Sequence, residues 1–379
     1  MPADSSPRKW DDDKLAGFRD LGDPPADRAL AAVLEKGGLA SVNQLLRGLV
    51  ENDELVPDAL PAPIRRFLAQ TAKLPPWADP DRVRAGEELF CRFGPQLVLA
   101  LHCAALPTCY AAAHGASALY LTHGMTEHLH RRIVETAQFV IDVMEPGGLA
   151  EGGRGVRTTQ KVRLLHAALR HILRSDPRYR PEWGLPINQE DLAGTLMSFS
   201  VVSIDALRRL GLPFTPDEED AYVHAWKVVG HVLGVSPKLL PRGPDDGRAL
   251  LAAIQRRQYA PSEAGRELAA ALIGFLKHAI PGTLFDGFAA VAVRHLAGDE
   301  VADLLEIERG DWTAVLLAPM RRLFQLEEWA GDHSDAIAKL TGTFSRKLLE
   351  SLLWVERGGR RAQFRIPKTL RDEWRLPPE

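Results

Sequence analysis

Hydrophobic residues recur every three or four positions along most of the chain from residue 26 onward, the spacing that places them on one face of an α-helix. In residues 26–38, Leu30, Val33 and Leu34 share such a face, and a Gly-Gly pair then ends the pattern. Short amphipathic segments of the same kind follow, each closed by Pro, Gly or Asn, and few segments alternate as strands do. The sequence therefore predicts an all-α fold.

The two ends of the chain depart from this pattern. Residues 1–25 are rich in Asp and Pro and predict a polar N-terminal arm. Near the other end, Gly358 and Gly359 separate two short alternating runs within residues 352–367, which predicts a small C-terminal β-hairpin. The sequence contains no internal repeat and no low-complexity linker. Residues 26–379 are therefore predicted to form a single large helical-bundle domain.

Residues 93–126 contain no Asp, Glu, Lys or Arg, and the run is long enough to cross a bilayer. Pro107, Gly115, three histidines and many alanines interrupt it and weaken its hydropathy. We therefore expect two buried core helices, broken near Pro107, rather than a membrane span.

Charge and cysteine content narrow the class of protein. The 379-residue chain carries 47 Lys and Arg against 50 Asp and Glu, a formal net charge of −3. It lacks the basic excess by which nucleic-acid-binding proteins hold phosphates, so no nucleic-acid partner is expected. Cys91, Cys103 and Cys109 form no CxxC pair, which favours a reducing compartment. The first residues show no apolar segment typical of secretory signals, and we expect a cytoplasmic protein.

Several motifs for well-known chemistry are absent or incomplete. The GGRG at 152–155 follows no predicted strand and precedes no GK[ST], so it is a poor phosphate loop. No GxSxG elbow and no CxxCH haem-attachment motif occur. Glu127 and His130 form one ExxH step, whereas a di-iron bundle needs two such steps and two further glutamates. Phosphate-loop, serine-hydrolase, covalent-haem and di-iron chemistry are therefore disfavoured.

His166 is the first candidate site residue. The helix predicted over 157–174 carries an apolar stripe made of Val162, Leu165, Leu169 and Ile172. His166 lies beside this stripe and should point inward. A buried imidazole needs partners for its nitrogens, since an unmet hydrogen bond costs about 1–3 kcal/mol. Two interpretations are open: a core histidine bonded to a backbone carbonyl, or a metal ligand whose second nitrogen donates to a nearby acceptor.

Arg132 and Thr136 form the second candidate pair. They are four residues apart on the helix predicted over 128–144, so they share a face close to its apolar side. An inward-facing arginine and hydroxyl suit an anion or a polar ligand. The alternative is that Arg132 extends to solvent and pairs with Glu135 or Glu127.

Other polar residues are interpreted as structural. Asn188 is a plausible N-cap, and Glu190 and Asp191 follow in the first turn, where the helix dipole favours acids. His224 and His231 are seven apart, along roughly one face of a helix, and no carboxylate or cysteine accompanies them. We expect both histidines to be packing or surface residues.

Four segments, in their order and spacing, resemble those of one protein family. They are RRIVETAQFV (131–140), KVRLLHAALR (161–170), LPINQEDLAGTLMSFS (185–200) and YVHAWKVVGHVLGV (222–235). Weaker similarity runs upstream through residues 74–86 and the uncharged stretch. In these segments the chain is similar to the latex-clearing proteins, which are rubber oxygenases, and to the MpaB-type oxygenases.

The resemblance implies an all-helical fold around a non-covalently bound b-type haem, in a globin-like pocket between helices. Within it, the histidine of the R-x-x-H-A segment is the proximal iron ligand and matches His166. An arginine and a threonine, four apart on the helix across the pocket, match Arg132 and Thr136. These three residues are thereby predicted to bind the cofactor, with Arg132 and Thr136 also serving in catalysis.

Three departures from the family pattern bear on the substrate. Rubber-cleaving members have a lysine just before the threonine that can occupy the sixth iron position, and here that position is Glu135. They also have a catalytic glutamate in a region that corresponds to residues 113–120, where this chain has no acid. Exported members carry a signal peptide, which is not expected here. Polyisoprene is therefore a doubtful substrate.

The leading hypothesis is a haem b-dependent oxygenase or dioxygenase that uses O₂ on a hydrophobic, unsaturated small molecule. Arg132 would pair with a haem propionate or polarise bound oxygen, and Thr136 would offer a hydroxyl nearby. Glu135 would act as a distal base or face solvent. The alternatives are a non-catalytic haem protein (a gas sensor, haem carrier or electron-transfer module) and a helical scaffold whose histidines only pack.

Overall fold

The computed structural model describes residues 7–36, 60–122, 126–279 and 288–310, together with residue 348 and the pairs 356–357 and 360–361. Apart from connecting segments and one short strand pair, these residues are helical, as predicted. The helices are α1 (Asp12–Ala16), α2 (24–36), α3 (Ala62–Thr71), α4 (Pro80–Ala100), α5 (Leu106–Ala111), α6 (Ala113–Leu121), α7 (Thr126–Met144), α8 (Arg154–Leu173), α9 (Gln189–Met197), α10 (Ser203–Arg209), α11 (Pro216–Leu233), α12 (Pro244–Gln258), α13 (Glu263–Ala279), α14 (Phe288–Ala297) and α15 (Asp299–Leu304).

Shorter elements join these helices. The chain forms 3₁₀ turns at Gly17–Asp20 and Pro181–Trp183, and π-helical turns at Leu101–Ala105 and Ser198–Val202. Strand β1 (Glu356–Arg357) pairs antiparallel with β2 (Arg360–Arg361) across the Gly-Gly pair, at the position where the sequence predicts a hairpin. The rest of the predicted hairpin lies outside the described residues.

The predicted break near Pro107 is misplaced. Helix α4 is kinked at Phe93, with φ −118° and ψ 20°, but α4 and α5 run on through the π-helical turn past Pro107. The helix ends only at Ala112, with φ −77° and ψ 92°. Proline lacks an N–H, and its ring clashes with the carbonyl four residues earlier in a regular helix. A wider π turn just before Pro107 moves that carbonyl and lets the helix continue. This continuous helix, Pro80–Ala111, is long and apolar enough to span a membrane, but 83% of its most apolar window is buried inside the protein.

Helix α11 packs along α4 at the centre of the main core. Gly86 allows the close approach, because a Cβ on that residue would lie 2.8 Å from the carbonyl oxygen of Ala221. Trp226 and Tyr222 of α11 are among the largest fully buried side chains. A capping box between Thr215 and Glu218 begins α11.

The predicted packing role of His224 and His231 is confirmed. Both rings meet Trp77 edge-on, with ring centroids 6.1 and 5.7 Å away. Nε2 of His224 accepts a 3.0 Å hydrogen bond from the backbone N–H of Asp79. These contacts hold the segment before α4 against α11.

The described part of the predicted N-terminal arm is ion-paired to the helical domain. The backbone N–H of Arg8 donates to Oδ1 of Asp246 over 2.7 Å, and its guanidinium donates to both oxygens of the same carboxylate. Arg19 Nη1 lies 3.2 Å from Glu190 and 3.0 Å from Asp191. These contacts join the first residues of the chain to α9 and α12.

Candidate cofactor and active site

Helix α8 carries His166 and packs against α7 on one side and α11 on another. A second small core joins α8 to α2 and α3, and its members on α8 are Leu164, Ala167 and Ala168. The apolar stripe predicted from sequence is therefore not the buried face. Val162, Leu165 and Leu169 are half-buried, and Ile172 is 45% exposed.

His166 shares a helical face with those half-buried residues, since positions 162, 165, 166 and 169 follow helical spacing. The side chain is itself half-buried. Its Nδ1 atom is enclosed and has no hydrogen-bond partner among the described residues. A satisfied core histidine would show a bond to a carbonyl at this position. The interpretation as a purely structural residue is therefore the weaker of the two.

Burial, together with the positive charges of Arg132 and Arg170, lowers the pKa of His166 to about 3. The imidazole is consequently neutral at pH 7. Neutral imidazole is the form that offers a lone pair to a metal.

Arg132 does not pair with Glu135 in the way the solvent-facing alternative requires. Its Nε atom is enclosed without a partner, and burial lowers its pKa despite the nearby Glu135 and Tyr110. Glu135 instead accepts from Nε of Arg131 over 2.8 Å, and Arg131 is half exposed. Arg132 thus has an unmet donor on the side of α7 that faces His166, while Glu135 is engaged by a different arginine. A role for Glu135 as a distal base stays a prediction.

Thr136 is half-buried and donates its hydroxyl proton to the carbonyl oxygen of Arg132 over 2.8 Å. This bond fixes the Thr136 hydroxyl against the preceding turn of α7 and leaves its oxygen lone pairs free to accept a hydrogen bond. Of the site residues predicted from the sequence, Arg132 is the one whose positive charge lowers the pKa of His166.

Two further residues near this site escape the sequence reasoning. Tyr110 on α5 is 3% exposed and interacts electrostatically with Arg132. No sequence signal marks it within the long uncharged stretch. Arg170 lies four residues after His166 and interacts with it. The sequence R-x-x-H-A-A-L-R places Arg170 one turn after His166, but an arginine in a helix is usually expected to face solvent.

A carboxylate does approach α6, although residues 113–120 contain none. A Cβ on Gly115 would lie 3.6 Å from Oδ1 of Asp191, which comes from the first turn of α9. Burial raises the pKa of Asp191, while Arg19 opposes that shift. Asn188 caps α9 as predicted, since its side chain accepts from the Asp191 N–H over 3.0 Å.

The donor set fits a metal held largely by a macrocycle. Within the described residues, no three His, Cys, Asp or Glu side chains group so as to hold a metal ion. A single neutral imidazole with an unmatched nitrogen, beside two arginines, suits an iron that takes most of its ligands from a porphyrin. His166 would hold the iron of such a group.

Comparison with known proteins identifies the family of the chain. The model of the catalytic domain described as "ER-bound oxygenase mpaB/B'/Rubber oxygenase" matches residues 87–329. The chain belongs to this family. The matched region contains α5 to α15 and the candidate residues Arg132, Thr136 and His166, and the family is one of oxygenases.

Individual members of the mpaB and rubber oxygenase family extend the match over nearly the whole chain. The rubber oxygenase of Streptomyces sp. (strain K30) is 26% identical over 350 residues, which are 91% of this chain and 85% of that protein. The structure of latex clearing protein in its closed state superposes with a TM-score of 0.73 at 25% identity. That likeness covers 95% of this chain and 100% of the other. The predicted family and the all-helical fold are confirmed.

Proposed function

We propose that this protein is a b-type haem-dependent oxygenase that uses O₂ on a hydrophobic, unsaturated small molecule. The observation that supports it most is the state of His166, a neutral imidazole with an enclosed and unpartnered Nδ1. It lies within the matched catalytic domain of an oxygenase family. The rubber oxygenase relative acts, by its name, on a hydrophobic polyene. A smaller hydrophobic, unsaturated molecule is proposed for this chain.

The bound haem would supply the iron at which O₂ is activated. His166 would hold the iron from the α8 side, and its neutral state makes the lone pair available without loss of a proton. Arg132 would keep a positive charge beside the site, where it stabilises negative charge as it develops on oxygen. Thr136 would accept a hydrogen bond or orient a water molecule through its free lone pairs. The apolar helices around them would exclude bulk water and favour a hydrophobic substrate.

One optical measurement tests the cofactor. The purified full chain, supplied with haem, should show a Soret band whose ferric and dithionite-reduced forms indicate a histidine-ligated b-type haem. His166→Ala should lose most of this band while retaining the helical circular dichroism spectrum. His231→Ala is the matched control, since this half-buried histidine packs on Trp77. Haem binding unchanged in His166→Ala would refute the proposal.

A non-catalytic haem protein is the second candidate. It is favoured by two observations: residues 113–120 contain no acid, and Glu135 is paired with Arg131. Oxygen consumption in the presence of candidate alkenes separates the two functions. An oxygenase consumes O₂ and yields oxygenated product, whereas a carrier or sensor shows the same Soret band without product.

A further inference from the structure

Arg170 occupies a special position relative to His166. It lies four residues later on α8, so the two side chains share one face of the helix. The Arg170 side chain is only 3% exposed. A guanidinium cannot lose its charge at physiological pH, so this buried cation needs negative partners or acceptors for its donors.

Two of the three Arg170 nitrogens have partners that fix the side chain. Nε donates to Oδ1 of Asp27 over 3.0 Å, and Nη1 donates to the carbonyl oxygen of Ile187 over 2.5 Å. Ile187 has φ +52°, a left-handed backbone that a β-branched residue rarely adopts. Strained backbone of this kind persists where the surrounding structure demands it, often at functional sites. Here the strained residue supplies the carbonyl that holds Arg170.

The third nitrogen, Nη2, is enclosed and has no partner among the described residues. Nε of Arg132, on the facing helix α7, is likewise enclosed without a hydrogen-bond partner among the described residues. Both guanidinium groups act electrostatically on His166. Asp27 is the carboxylate paired with Arg170, and Arg132 forms no ion pair with the described residues. The surroundings of His166 therefore combine an excess of positive charge with unused hydrogen-bond donors.

We propose that Nη2 of Arg170 binds a carboxylate of the molecule that His166 holds. Guanidinium groups bind carboxylates through charge-assisted hydrogen bonds, which are about twice as strong as neutral ones. The inference rests on the proposed function, in which the molecule is a porphyrin and the carboxylate is one of its propionates. The carboxylate of a fatty-acid-like substrate has the same chemistry, and the test below distinguishes the two sources.

The experiment compares porphyrins with free and esterified carboxylates. Haem-free full chain is titrated with ferric protoporphyrin IX and with its dimethyl ester, followed by the Soret band. Iron-free protoporphyrin IX and its dimethyl ester are titrated in parallel by fluorescence, which reports binding without iron ligation. The wild-type protein should prefer the diacid in both pairs by about ten- to a hundred-fold, the usual range for a hydrogen bond to a charged group.

Arg170→Lys and Arg170→Gln should lose most of this preference while binding the dimethyl esters as the wild type does. Lysine keeps a charge near Asp27 but lacks the second terminal nitrogen. Arg163→Lys is the matched control, because Arg163 is also a buried arginine on α8 and all three of its nitrogens have partners. This variant should keep the preference. Thermal unfolding of each variant shows whether the fold is retained.

A wild-type protein that binds diacid and diester equally would overturn the inference, and would point to a substrate carboxylate or a buried water at Nη2. Undiminished preference in both Arg170 variants would overturn it as well. In either case His166-dependent haem binding would remain, and the proposed function with it. Absence of any His166-dependent porphyrin binding would instead refute both.

Discussion

Arg163 and Asp23 form a two-point ion pair inside the protein. Nε of Arg163 lies 2.5 Å from Oδ2 of Asp23, and Nη2 lies 2.8 Å from Oδ1. The two side chains are 9% and 3% exposed. Arg163 is one turn before His166 on α8. The ion pair therefore attaches α8, the helix that carries the imidazole, to a segment 140 residues earlier in the chain.

Asp23→Ala should destabilise the protein strongly. Removing one partner of a buried ion pair leaves the other charge uncompensated, which costs about 3–5 kcal/mol. Chemical denaturation should therefore show a much lower midpoint for Asp23→Ala. Asp81→Ala is the control, because its pair with Arg84 is largely exposed and such pairs contribute about 1 kcal/mol or less. Equal effects of the two substitutions would show that the Asp23 pair is not isolated from water.

Glu145, in the turn between α7 and α8, makes stability depend on pH. Burial and the nearby Asp142 and Glu87 raise its pKa from 4.5 to about 7, although Arg154 opposes the shift. Between these two pH values the folded protein holds a proton that the unfolded chain has released. The folded state therefore loses stability as the pH rises from 4.5 to 7.

Glu145→Gln should remove this dependence. At pH 8 the variant should be more stable than the wild type by on the order of 2 kcal/mol, because solvent screening of this partly exposed carboxyl reduces the effect of the pKa shift. Near pH 4.5 the difference in stability should vanish. Urea unfolding at a series of pH values measures this difference in stability. Glu88→Gln is the control, because Glu88 is exposed. A variant that is less stable than the wild type at pH 8 would mean that the ion pair with Arg154 outweighs burial.

Gly234 ends α11 in the left-handed conformation, with φ +86°, directly against the Arg163 side chain. A Cβ at this position would lie 2.5 Å from Nε of Arg163. Gly234→Ala should therefore cost about 2 kcal/mol or more, because it adds a clash to the unfavourable backbone. Gly274→Ala on α13 meets nothing within 4 Å and should stabilise by up to about 1 kcal/mol. Thermal unfolding of the two variants should thus shift in opposite directions.

Helical periodicity was enough to predict the all-α fold, the N-cap at Asn188 and the packing of His224 and His231, because each depends on neighbours within a few turns. The buried face of α8 could not be found in this way. Arg163 and Arg170 take core positions, since carboxylates 140 and 143 residues away neutralise them. No local pattern encodes such distant partners, so the apolar stripe with Ile172 suggested the wrong face.

The candidate site shows the same limit. Spacing alone left His166 undecided between a core residue and a ligand, and the resemblance to a family supplied its proposed role together with those of Arg132 and Thr136. The structure adds the enclosed Nδ1 of His166, which favours a ligand. Tyr110 lies in the uncharged stretch, where the small apolar residues predict only close packing of helices and no site. Its proximity to Arg132 depends on how α5 and α7 are placed in three dimensions.

Thr136 allows the catalytic proposal to be tested apart from haem binding. Its hydroxyl donates to the Arg132 carbonyl, so its lone pairs are what remain for a ligand or a water molecule. Thr136→Val keeps the shape of the side chain but removes both the hydroxyl donor and its accepting lone pairs. Thr136→Ser keeps the hydroxyl. We expect Thr136→Val to retain the Soret band and to lower the rate of O₂-dependent product formation by about ten- to a hundred-fold. This is the range for loss of one hydrogen bond to a group that becomes charged.

Thr136→Ser should retain most of the activity, and the contrast between the two variants separates the hydroxyl from the methyl group. Loss of haem from Thr136→Val would assign the residue to cofactor binding instead. Equal rates for wild type and Thr136→Val would remove the hydroxyl from the reaction. Since Thr136 is half-buried and its proton is already bound within α7, neither substitution should change the unfolding free energy by more than about 1 kcal/mol. A change in rate can then be attributed to the site itself.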